Sequence, residues 1–485
     1  MREAPGAWRI LALNTFAFTV CFACWMVNGV LVTFLVENDV FDWDVAQVGT
    51  LIGMPVLTGA LMRLPLGILT DKFGGRPVFT GLLLFCAIPM FLLSQVHSYL
   101  GYVLCSLGFG MVGASFAVGI AFSSVWFSKG RQGTALGIFG AGNAGAALTV
   151  MGAPGILTWL TADGTNLEGW RTLPMGYAAL LVVTAVLFFL FASNKRPASK
   201  RNLLQMLRPL RSLRVWRFGL YYFLVFGGFV ALAQWLMPYF VNVYSMTIVT
   251  AGLMTSIFSL PSGVIRALGG VLSDRFGARA VMYWILGTTV FCCFLLCFPK
   301  MEIESPGSGI MARKSGTVTA VTETEIKVGD VSYPVLPPVE MEFDDDKAHL
   351  LPMIRSWHKP AVKIGAQVKR KQLLARGETH IFFQANVVVF TIFVFVIGIT
   401  MGIGKAGVYK YIPDYFPDEV GVVGGIVGVV GGLGGFVCPI VFGHLLKALG
   451  LWTTTWMFFF WLSLACLIWL HIVVRKISVK QVHIE

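Results

Sequence analysis

The feature that most constrains this chain is a series of long apolar stretches, most of them about twenty residues or more. A helix rises 1.5 Å per residue, so about 20 residues cross a hydrocarbon core about 30 Å thick. With 56% hydrophobic and only 13% charged residues, the chain cannot present the polar surface of a soluble globule. The sequence predicts an all-α polytopic membrane protein with twelve transmembrane helices. They lie near residues 9–36, 45–69, 77–95, 99–127, 131–160, 172–193, 217–244, 248–273, 280–299, 382–410, 420–446 and 452–474.

The charge distribution predicts how the chain is oriented. The formal net charge is +13, and the basic residues are concentrated in the segment between spans six and seven. This is the positive-inside pattern, rather than a nucleic-acid surface. We therefore expect an inner (plasma) membrane location, cytoplasmic termini and an external first loop containing Glu37, Asp39, Asp42 and Asp44. The basic residues of the linker are Lys195, Arg196, Lys200, Arg201, Arg208, Arg211, Arg214 and Arg217.

The chain contains an internal repeat. The segment from Arg63 to Arg76 matches the segment from Arg266 to Arg279 in Arg, Gly, Asp, a basic residue, Phe, Gly and Arg at a constant offset of 203 residues. Two six-span halves that repeat in parallel place a substrate near the bilayer midplane, at their interface. The predicted parts are an N-terminal half (1–194), a basic linker (195–216), a C-terminal half (217–299 and 381–476) and a cytoplasmic tail (477–485).

A polar stretch interrupts the second half. The glycines at 137–140 and 425–428 repeat at an offset of 288, and this larger offset is explained by an insertion at 300–380. Alternating Val, Thr and Ile near Gly316 and Glu325, with prolines from Pro334 to Pro338, predict a small β-rich module. By loop parity it is extracytoplasmic. A structural role and a role in docking a protein partner both remain open.

Two arginines are the candidate binding residues. Arg63 precedes Asp71 by eight residues, which places it roughly 12 Å into the membrane, and Arg266 is its repeat equivalent. A charge at that depth is a functional candidate. The alternatives are snorkelling to the interface or pairing with a carboxylate, but no Asp or Glu lies inside a span away from its ends. Two facing guanidiniums without a partner predict an anion site, and their planar donor forks suit planar oxyanions.

Glycines mark spans five and eleven. Gly421, Gly425, Gly428, Gly432 and Gly435 are spaced by four and three residues, which gives one helical face without side chains. Gly133, Gly137 and Gly140 form a shorter series beside Asn143. Such faces permit close helix contact and sliding. The Asn143 amide requires a partner, either across helices or on an anion in the cavity.

These residues together resemble a known family. The arginine pair, Gly142-Asn143-Ala-Gly145 and Gly428-Val-Val-Gly-Gly-Leu-Gly-Gly-Phe436 resemble the signatures of the nitrate/nitrite porter branch of the major facilitator superfamily. The resemblance implies that Arg63, Arg266 and Asn143 bind the anion, with Tyr222, Phe226 and Phe116 as aromatic contacts. The Asp71-to-Arg76 loop resembles the superfamily's gating loop. The expected gating residues are Gly137, Gly140, Gly425, Gly428, Gly432, Asp71, Arg76, Asp274 and Arg279.

The implied function is nitrate and nitrite transport by alternating access, by a monomer embedded in the lipid bilayer. Exchange and proton-coupled uptake both remain open, because the spans lack a carboxylate but span ten contains Lys405 and Lys410. Exchange of an organic phosphate or carboxylate, or anion sensing, are alternatives. We expect no enzyme activity, cofactor, metal or nucleic-acid partner, since no such motif stands in a suitable context.

Replacing Gly428 with Leu should leave a folded, well-expressed protein that no longer transports, because a bulky side chain on the glycine face would block sliding of span eleven. Expression level and flux into proteoliposomes measure the two effects. Normal flux through a well-expressed variant would contradict a role for the glycine face.

Overall fold

The computed structural model describes residues 5–127, 129–195, 208–298, 300–338, 353–384, 387–416 and 420–482. Within them, eleven helices are long and apolar enough to cross a membrane, and a bent pair near residues 248–276 makes a twelfth when counted as one span. The predicted all-α membrane fold with a β-rich insertion is confirmed. The predicted linker falls partly on residues 196–207, which lie outside the described ranges.

The spans are named here by their order in the chain. Their helical bounds are Ala7–Glu37 (span 1), Val45–Leu61 and Arg63–Phe73 (span 2), Gly75–Leu93 (span 3), Tyr99–Gly110 and Ser115–Ser124 (span 4), Lys129–Gly140 and Gly145–Leu160 (span 5), Thr172–Phe191 (span 6), Leu213–Tyr222 and Gly228–Tyr244 (span 7), Ile248–Val264 and Arg266–Phe276 (span 8), Ala278–Leu296 (span 9), Val387–Tyr415 (span 10), Val420–Leu449 (span 11) and Thr454–Val482 (span 12).

Spans 2 and 8 are interrupted at equivalent positions. Span 2 breaks at Met62, where Pro65 has no N–H to donate to the Leu61 carbonyl. Span 8 breaks at Ile265, 203 residues later, which is the offset of the sequence repeat. Arg63 and Arg266 are therefore each the first residue of a new helical segment, so the repeat places both guanidiniums at matching levels in the two halves.

The two halves pack closely at one end, which we call the acidic-loop end because the loop 38–44 lies there. A Cβ added to Gly53 of span 2 would lie 2.7 Å from the carbonyl oxygen of Phe436 in span 11. One added to Gly49 would overlap the backbone of Pro439, and one added to Gly443 would overlap the Val45 carbonyl. Spans 2 and 11 thus touch backbone to backbone, which only glycine permits.

Polar contacts join the halves at the same end. Asp44 accepts hydrogen bonds from the backbone N–H groups of Ala46 and Gln47 in a capping box, and its other oxygen accepts from Lys447 Nζ at 2.7 Å. The hydrogen bond from Lys447 is the main cause that lowers the pKa of the Asp44 carboxyl below its ordinary value, and the two backbone bonds add to it. Asn242 Nδ2 likewise donates to Glu37 at 2.9 Å.

The insertion forms a compact unit of its own, from Leu295 to Ile392. One sheet has the strand order β1-β7-β5, with β1 Lys300–Met311, β5 Met353–Pro360 and β7 Leu373–Gln384. The other has the order β4-β3-β2-β6, with β2 Gly316–Val321, β3 Glu325–Val328, β4 Val331–Pro334 and β6 Gln367–Val368. Val318, Ile326, Val328 and Leu374 are buried in its core, so the predicted β alternation is confirmed here.

Two boundaries differ from the predicted ones. Span 10 was expected from residue 382, but residues 382–384 are the end of β7, where Phe382 pairs with Glu302 of β1. The apolar run there belongs to a strand because β-propensity and pairing with β1 outweigh its hydrophobicity. At the other end, the helix of span 12 continues to Val482 rather than ending near residue 474.

Replacing Lys447 with Gln should increase the fraction of molecules in which the halves separate at the acidic-loop end. Exposed ion pairs contribute about 0.2–1 kcal/mol, so the shift should be at most about fivefold. Distances between spin labels at Asp42→Cys and Leu451→Cys would report it. Because the pKa of Asp44 is lowered, the pair persists at neutral pH and is lost only as the pH falls through that lowered value.

The matched control is Asp39→Asn, an exposed residue of the same loop with no ion pair among the described residues. If it changes the label distances as much as Lys447→Gln does, the effect is due to loop charge and not to the ion pair.

Candidate functional site

Arg63 and Arg266 meet around a shared aromatic ring. The guanidinium carbon of each lies 5.4 Å from the centroid of Phe116, so the two carbons are separated by at most twice that distance. Arg63 is also 4.9 Å from the Phe226 ring, and Arg266 is 5.6 Å from the Tyr409 ring. Aromatic faces attract cations, which partly offsets the loss of water around each guanidinium.

Arg63 is almost sealed from solvent, with 3% of its surface exposed. Its Nη1 donates to the carbonyl oxygen of Gly428 at 2.6 Å, which joins span 2 of the first half to span 11 of the second. A Cβ at Gly428 would lie 3.7 Å from that Nη1 and 3.2 Å from the hydroxyl of Tyr409. The guanidinium therefore reaches the helix backbone because position 428 has no side chain.

Arg266 is half-buried and lies against span 5. Its side chain passes over Gly140, where an added Cβ would be 3.6 Å from Cδ and 3.9 Å from Nη1 of Arg266. Neither arginine forms an ion pair with a carboxylate in the part of the chain that the structure describes. Snorkelling of Arg63 to the interface and pairing with an internal acid, the two alternatives from the sequence, are therefore not what these residues do.

The site contains several donors without acceptors. Among the described residues, Nε and Nη2 of Arg63, Nη1 of Arg266 and the amide of Asn143 are all buried without a hydrogen-bond partner. Buried polar groups are normally satisfied, and a group of unsatisfied donors is unusual. Arginine has donors only, so an arrangement of this kind can be completed by an oxyanion.

Aromatic rings form the walls. Phe116 of span 4 and Phe226 of span 7 face each other at 6.4 Å between centroids, inclined by 26°. Tyr222 stacks on Phe226 at 5.0 Å with the planes 2° apart. Tyr222 immediately precedes a π-helical turn, Phe223–Gly227, and Phe226 lies within it; such turns often occur at functional sites. The structure thus brings the three predicted aromatic residues to the arginine pair.

Tyr409 of span 10 completes this group and was missed in the sequence. Its ring meets Tyr222 edge-on at 5.0 Å, and its hydroxyl donates to the carbonyl of Gly424 at 3.0 Å. The available signal was its spacing of four residues from Lys405, which places both on one helical face. A tyrosine in an apolar span has no feature that separates it from ordinary packing.

Asn143 lies in the 3₁₀ turn Ala141–Ala144 of span 5 and is fully buried. Neither its oxygen nor its nitrogen has a hydrogen-bond partner among the described residues, so the hydrogen bond across helices that the sequence allowed is not formed. The backbone of Asn143 and Ala144 lies close to Gly263, since a Cβ there would be 3.3 Å from the Ala144 nitrogen. The other alternative, an amide that donates to an anion in the cavity, stays a prediction.

Lys405 is fully buried beside the site. Its Nζ donates to the carbonyl and the hydroxyl of Ser262, both at 3.2 Å, and lies 3.1 Å from the centroid of Phe229. Lys405 is therefore sealed from solvent by its neighbours. Lys410 is partly exposed and forms an ion pair with Asp274 at 2.5 Å.

Span 11 has two rows of glycine rather than one. Gly428 and Gly432 face span 2, with a Cβ at Gly432 placed 2.8 Å from Cβ of Ala60, and Gly435 lies between Val56 of span 2 and Val230 of span 7. Gly431 and Gly434 face span 7, and a Cβ at Gly431 would overlap the Tyr222 ring. Gly425 and, in span 5, Gly137 meet open space. The helix is thus packed tightly on two sides near the arginines and is free at Gly425.

The two repeated loops are held by different neighbours. Arg76 Nε donates to the Phe189 carbonyl at 2.8 Å, which ties the first loop to span 6. Arg279 donates to the Tyr415 hydroxyl at 3.0 Å, and with Asp274 it ties the second loop to span 10. Asp71 lies in the last turn of the segment Arg63–Phe73. We call this end of the bundle the Asp71-loop end.

Two repeated halves, with a buried and a half-buried arginine near a shared aromatic ring, are the architecture of a membrane transporter. A family model described as Major Facilitator Superfamily matches residues 13–312 and 375–483. The chain is 38% identical, over 99% of its length and 94% of the relative's, to a probable nitrate/nitrite antiporter, NarK1, from Thermus thermophilus. The chain therefore belongs to the nitrate/nitrite porter family of the major facilitator superfamily.

Other relatives agree with this assignment. A probable nitrate transporter, NarT, from Staphylococcus epidermidis is 26% identical over 89% of this chain and 87% of its own. A solved structure of a bacterial homologue of the human lysosomal transporter Spinster shares the fold, with a TM-score of 0.63, 13% identity and coverage of 98% of both chains. The protein is a multi-pass membrane transporter and not an enzyme.

Replacing Arg63 with Met should raise the stability of the protein in detergent without oxyanions, by about 1–4 kcal/mol, because it removes a buried charge that lacks a counter-ion. Thermal unfolding would measure the change. The control is Arg214→Met, an exposed arginine whose loss should cost no more than about 0.5 kcal/mol. A clearly less stable Arg63→Met variant would mean that the bond to Gly428 outweighs the burial of charge.

Proposed function

We propose that this protein exchanges nitrate and nitrite across the membrane by alternating access, with the anion held between Arg63 and Arg266. The observation that carries the proposal is the group of buried, unpartnered donors around the two guanidiniums. The names of the relatives, a nitrate/nitrite antiporter and a nitrate transporter, support this choice of cargo.

The walls favour a planar anion. A flat group stacked between two rings needs roughly 7 Å between them, two contact distances of about 3.5 Å. Phe116 and Phe226 are 6.4 Å apart, so a small adjustment admits a trigonal or bent oxyanion but no tetrahedral one. The arginine forks then bind the anion edge, and the Tyr222 and Asn143 side chains donate from the sides. A bulkier organic phosphate or carboxylate does not match this spacing.

The bond from Arg63 to Gly428 couples binding to movement in this proposal. It is a charge-assisted contact between the halves, at the level of the site. An anion competes with the Gly428 carbonyl for the same guanidinium, so its arrival weakens one tether between spans 2 and 11. The glycine rows of span 11 then allow the halves to rock without side chains in the way.

The orientation follows from the positive-inside rule. Arg208, Arg211, Arg214 and Arg217 precede or begin span 7 at the Asp71-loop end, which we therefore assign to the cytoplasm of a cell with the transporter in its plasma membrane. With twelve spans, both termini are cytoplasmic. By loop parity the β module is extracytoplasmic, where docking a protein partner is one role open to it. We expect the protein to function as a monomer.

Proton-coupled nitrate uptake is the second candidate, and Lys405 is the observation that favours it. A fully buried lysine that contacts Ser262 and Phe229 is a group whose protonation can depend on its surroundings. Lys405 is also within electrostatic range of Arg266, so a proton on Lys405 and an anion on the arginines would favour each other.

Proteoliposomes that contain the wild-type protein should take up nitrate when nitrite is present inside. Arg63→Lys and Arg266→Lys should each reduce kcat/KM by about 100-fold or more, since a point charge replaces a planar fork. The control is Arg214→Lys, an exposed arginine expected to behave as wild type.

What the uptake of nitrate requires distinguishes exchange from proton-coupled symport. Uptake that requires internal nitrite supports exchange, whereas uptake driven by a pH gradient alone supports symport. In the second case Lys405→Gln should abolish the pH dependence. If the wild-type protein moves neither anion, the cargo is wrong.

A further inference from the structure

A third buried arginine lies outside the central site. Arg217 is the fifth residue of the helical segment Leu213–Tyr222 at the Asp71-loop end, and only 7% of its surface is exposed. Its Nε is sealed from solvent and has no hydrogen-bond partner in the described ranges, where no carboxylate pairs with it either. Its Nη atoms are not sealed, so the guanidinium head reaches an accessible edge. A buried charge of this kind lowers the stability of the protein unless a counter-ion or further hydrogen bonds compensate it.

Two tyrosine hydroxyls accompany Arg217. Tyr221 follows it by four residues and so lies on the same helical face, and Tyr411 approaches from span 10. Both hydroxyls are buried and have no hydrogen-bond partner among the described residues. The guanidinium carbon of Arg217 lies 5.2 Å from the centroid of the Phe218 ring, and Tyr411 stacks on that same ring. One guanidinium and two hydroxyl groups thus lie together, and each has a donor without an acceptor among the described residues.

This cluster is separate from the nitrate site. Tyr222, the neighbour of Tyr221, points towards Tyr409 and Phe226, while consecutive residues of a helix lie about 100° apart. Phe218 stacks on Tyr411 at 5.2 Å with the planes 8° apart and closes one side of the cluster. Arg217 thus faces the inside of the second half and not the interface between the halves.

The surroundings of Arg217 are typical of the lipid headgroup level. Trp216 is 48% exposed and donates through Nε1 to the carbonyl of Leu210, and Leu213 is 70% exposed. Tryptophan with one wet and one apolar side is characteristic of the membrane interface. Three exposed arginines precede the cluster at intervals of three residues, Arg208, Arg211 and Arg214. Exposed arginines at this level attract anionic headgroups through the solvent, whereas Arg217 is the one arginine of these four that is buried against its neighbours.

We propose that Arg217, Tyr221 and Tyr411 form a second anion site that binds a phosphate-type oxyanion. The guanidinium fork matches two phosphate oxygens, and each tyrosine hydroxyl can donate to another. The same chemistry is available from the headgroup of an anionic phospholipid in the adjacent leaflet and from free inorganic phosphate. The site is distinct from the proposed transport centre and does not depend on what that centre carries.

The test is native mass spectrometry of the full-length protein titrated with phosphatidylglycerol, phosphatidylcholine or inorganic phosphate. The wild-type protein should retain phosphatidylglycerol in preference to phosphatidylcholine. Arg217→Gln should weaken that binding by about tenfold or more, and Tyr411→Phe by a few-fold, as expected for charge-assisted and neutral hydrogen bonds. Arg208→Gln, which removes an exposed charge from the same segment, should stay within about twofold of the wild type.

If Arg217→Gln weakens the binding of the lipid, of phosphate or of both, the site is supported. The ligand whose binding is weakened then identifies the source of the oxyanion. Binding of neither, or equal losses in Arg217→Gln and Arg208→Gln, would overturn it. Thermal unfolding in neutral detergent checks the variants, and Arg217→Gln should be at least as stable there as the wild type. If Arg217→Gln does not fold, Tyr411→Phe and Tyr221→Phe decide, because unchanged binding in both would also overturn the site.

Discussion

The structure depends on holding two guanidinium groups around one aromatic ring between the two halves. Arg63 loses almost all of its water and Arg266 part of it, and the two charges repel each other, so the surrounding chain must supply compensation. It comes from the faces of Phe116 and Phe226, and from the carbonyl of Gly428, which belongs to the opposite half. None of these neutralises the charge. The described neighbours therefore leave donors of the pair without acceptors, and in the proposed function an oxyanion supplies those acceptors.

The glycines of span 11 are the other component of this arrangement. A carbonyl inside a helix is normally hidden by side chains, and a guanidinium can reach it only where the side chain is missing. At Gly428 the absence of a side chain exposes an acceptor, and at Gly431 it makes room for the Tyr222 ring. Close packing of the helices and the proposed anion site thus use the same residues of span 11, which is rich in glycine.

Much of the fold was predictable because its signals are local. Span length indicates the membrane-spanning helices, and the offset of 203 residues between Arg63 and Arg266 indicates the repeat of the two halves. Loop charge predicts the orientation, which stays a prediction. The aromatic residues became candidates only through the family resemblance. Tyr409, the second glycine row at Gly431 and Gly434, and the cluster around Arg217 were missed, because each depends on which helix lies opposite. The start of span 10 was misplaced since an apolar strand and an apolar helix look alike over three residues.

The π-helical turn at Phe223–Gly227 has a consequence for how span 7 can respond to its neighbours. Such a turn contains one residue more than an α-helical turn, and this extra residue can be passed along the helix by exchanging hydrogen-bond partners. Passing it by one position would rotate Phe226 relative to Tyr222 and separate the two stacked rings, while both ends of the span stay in place. A local change in this turn can thus reposition the aromatic wall of the site while span 7 as a whole stays in place.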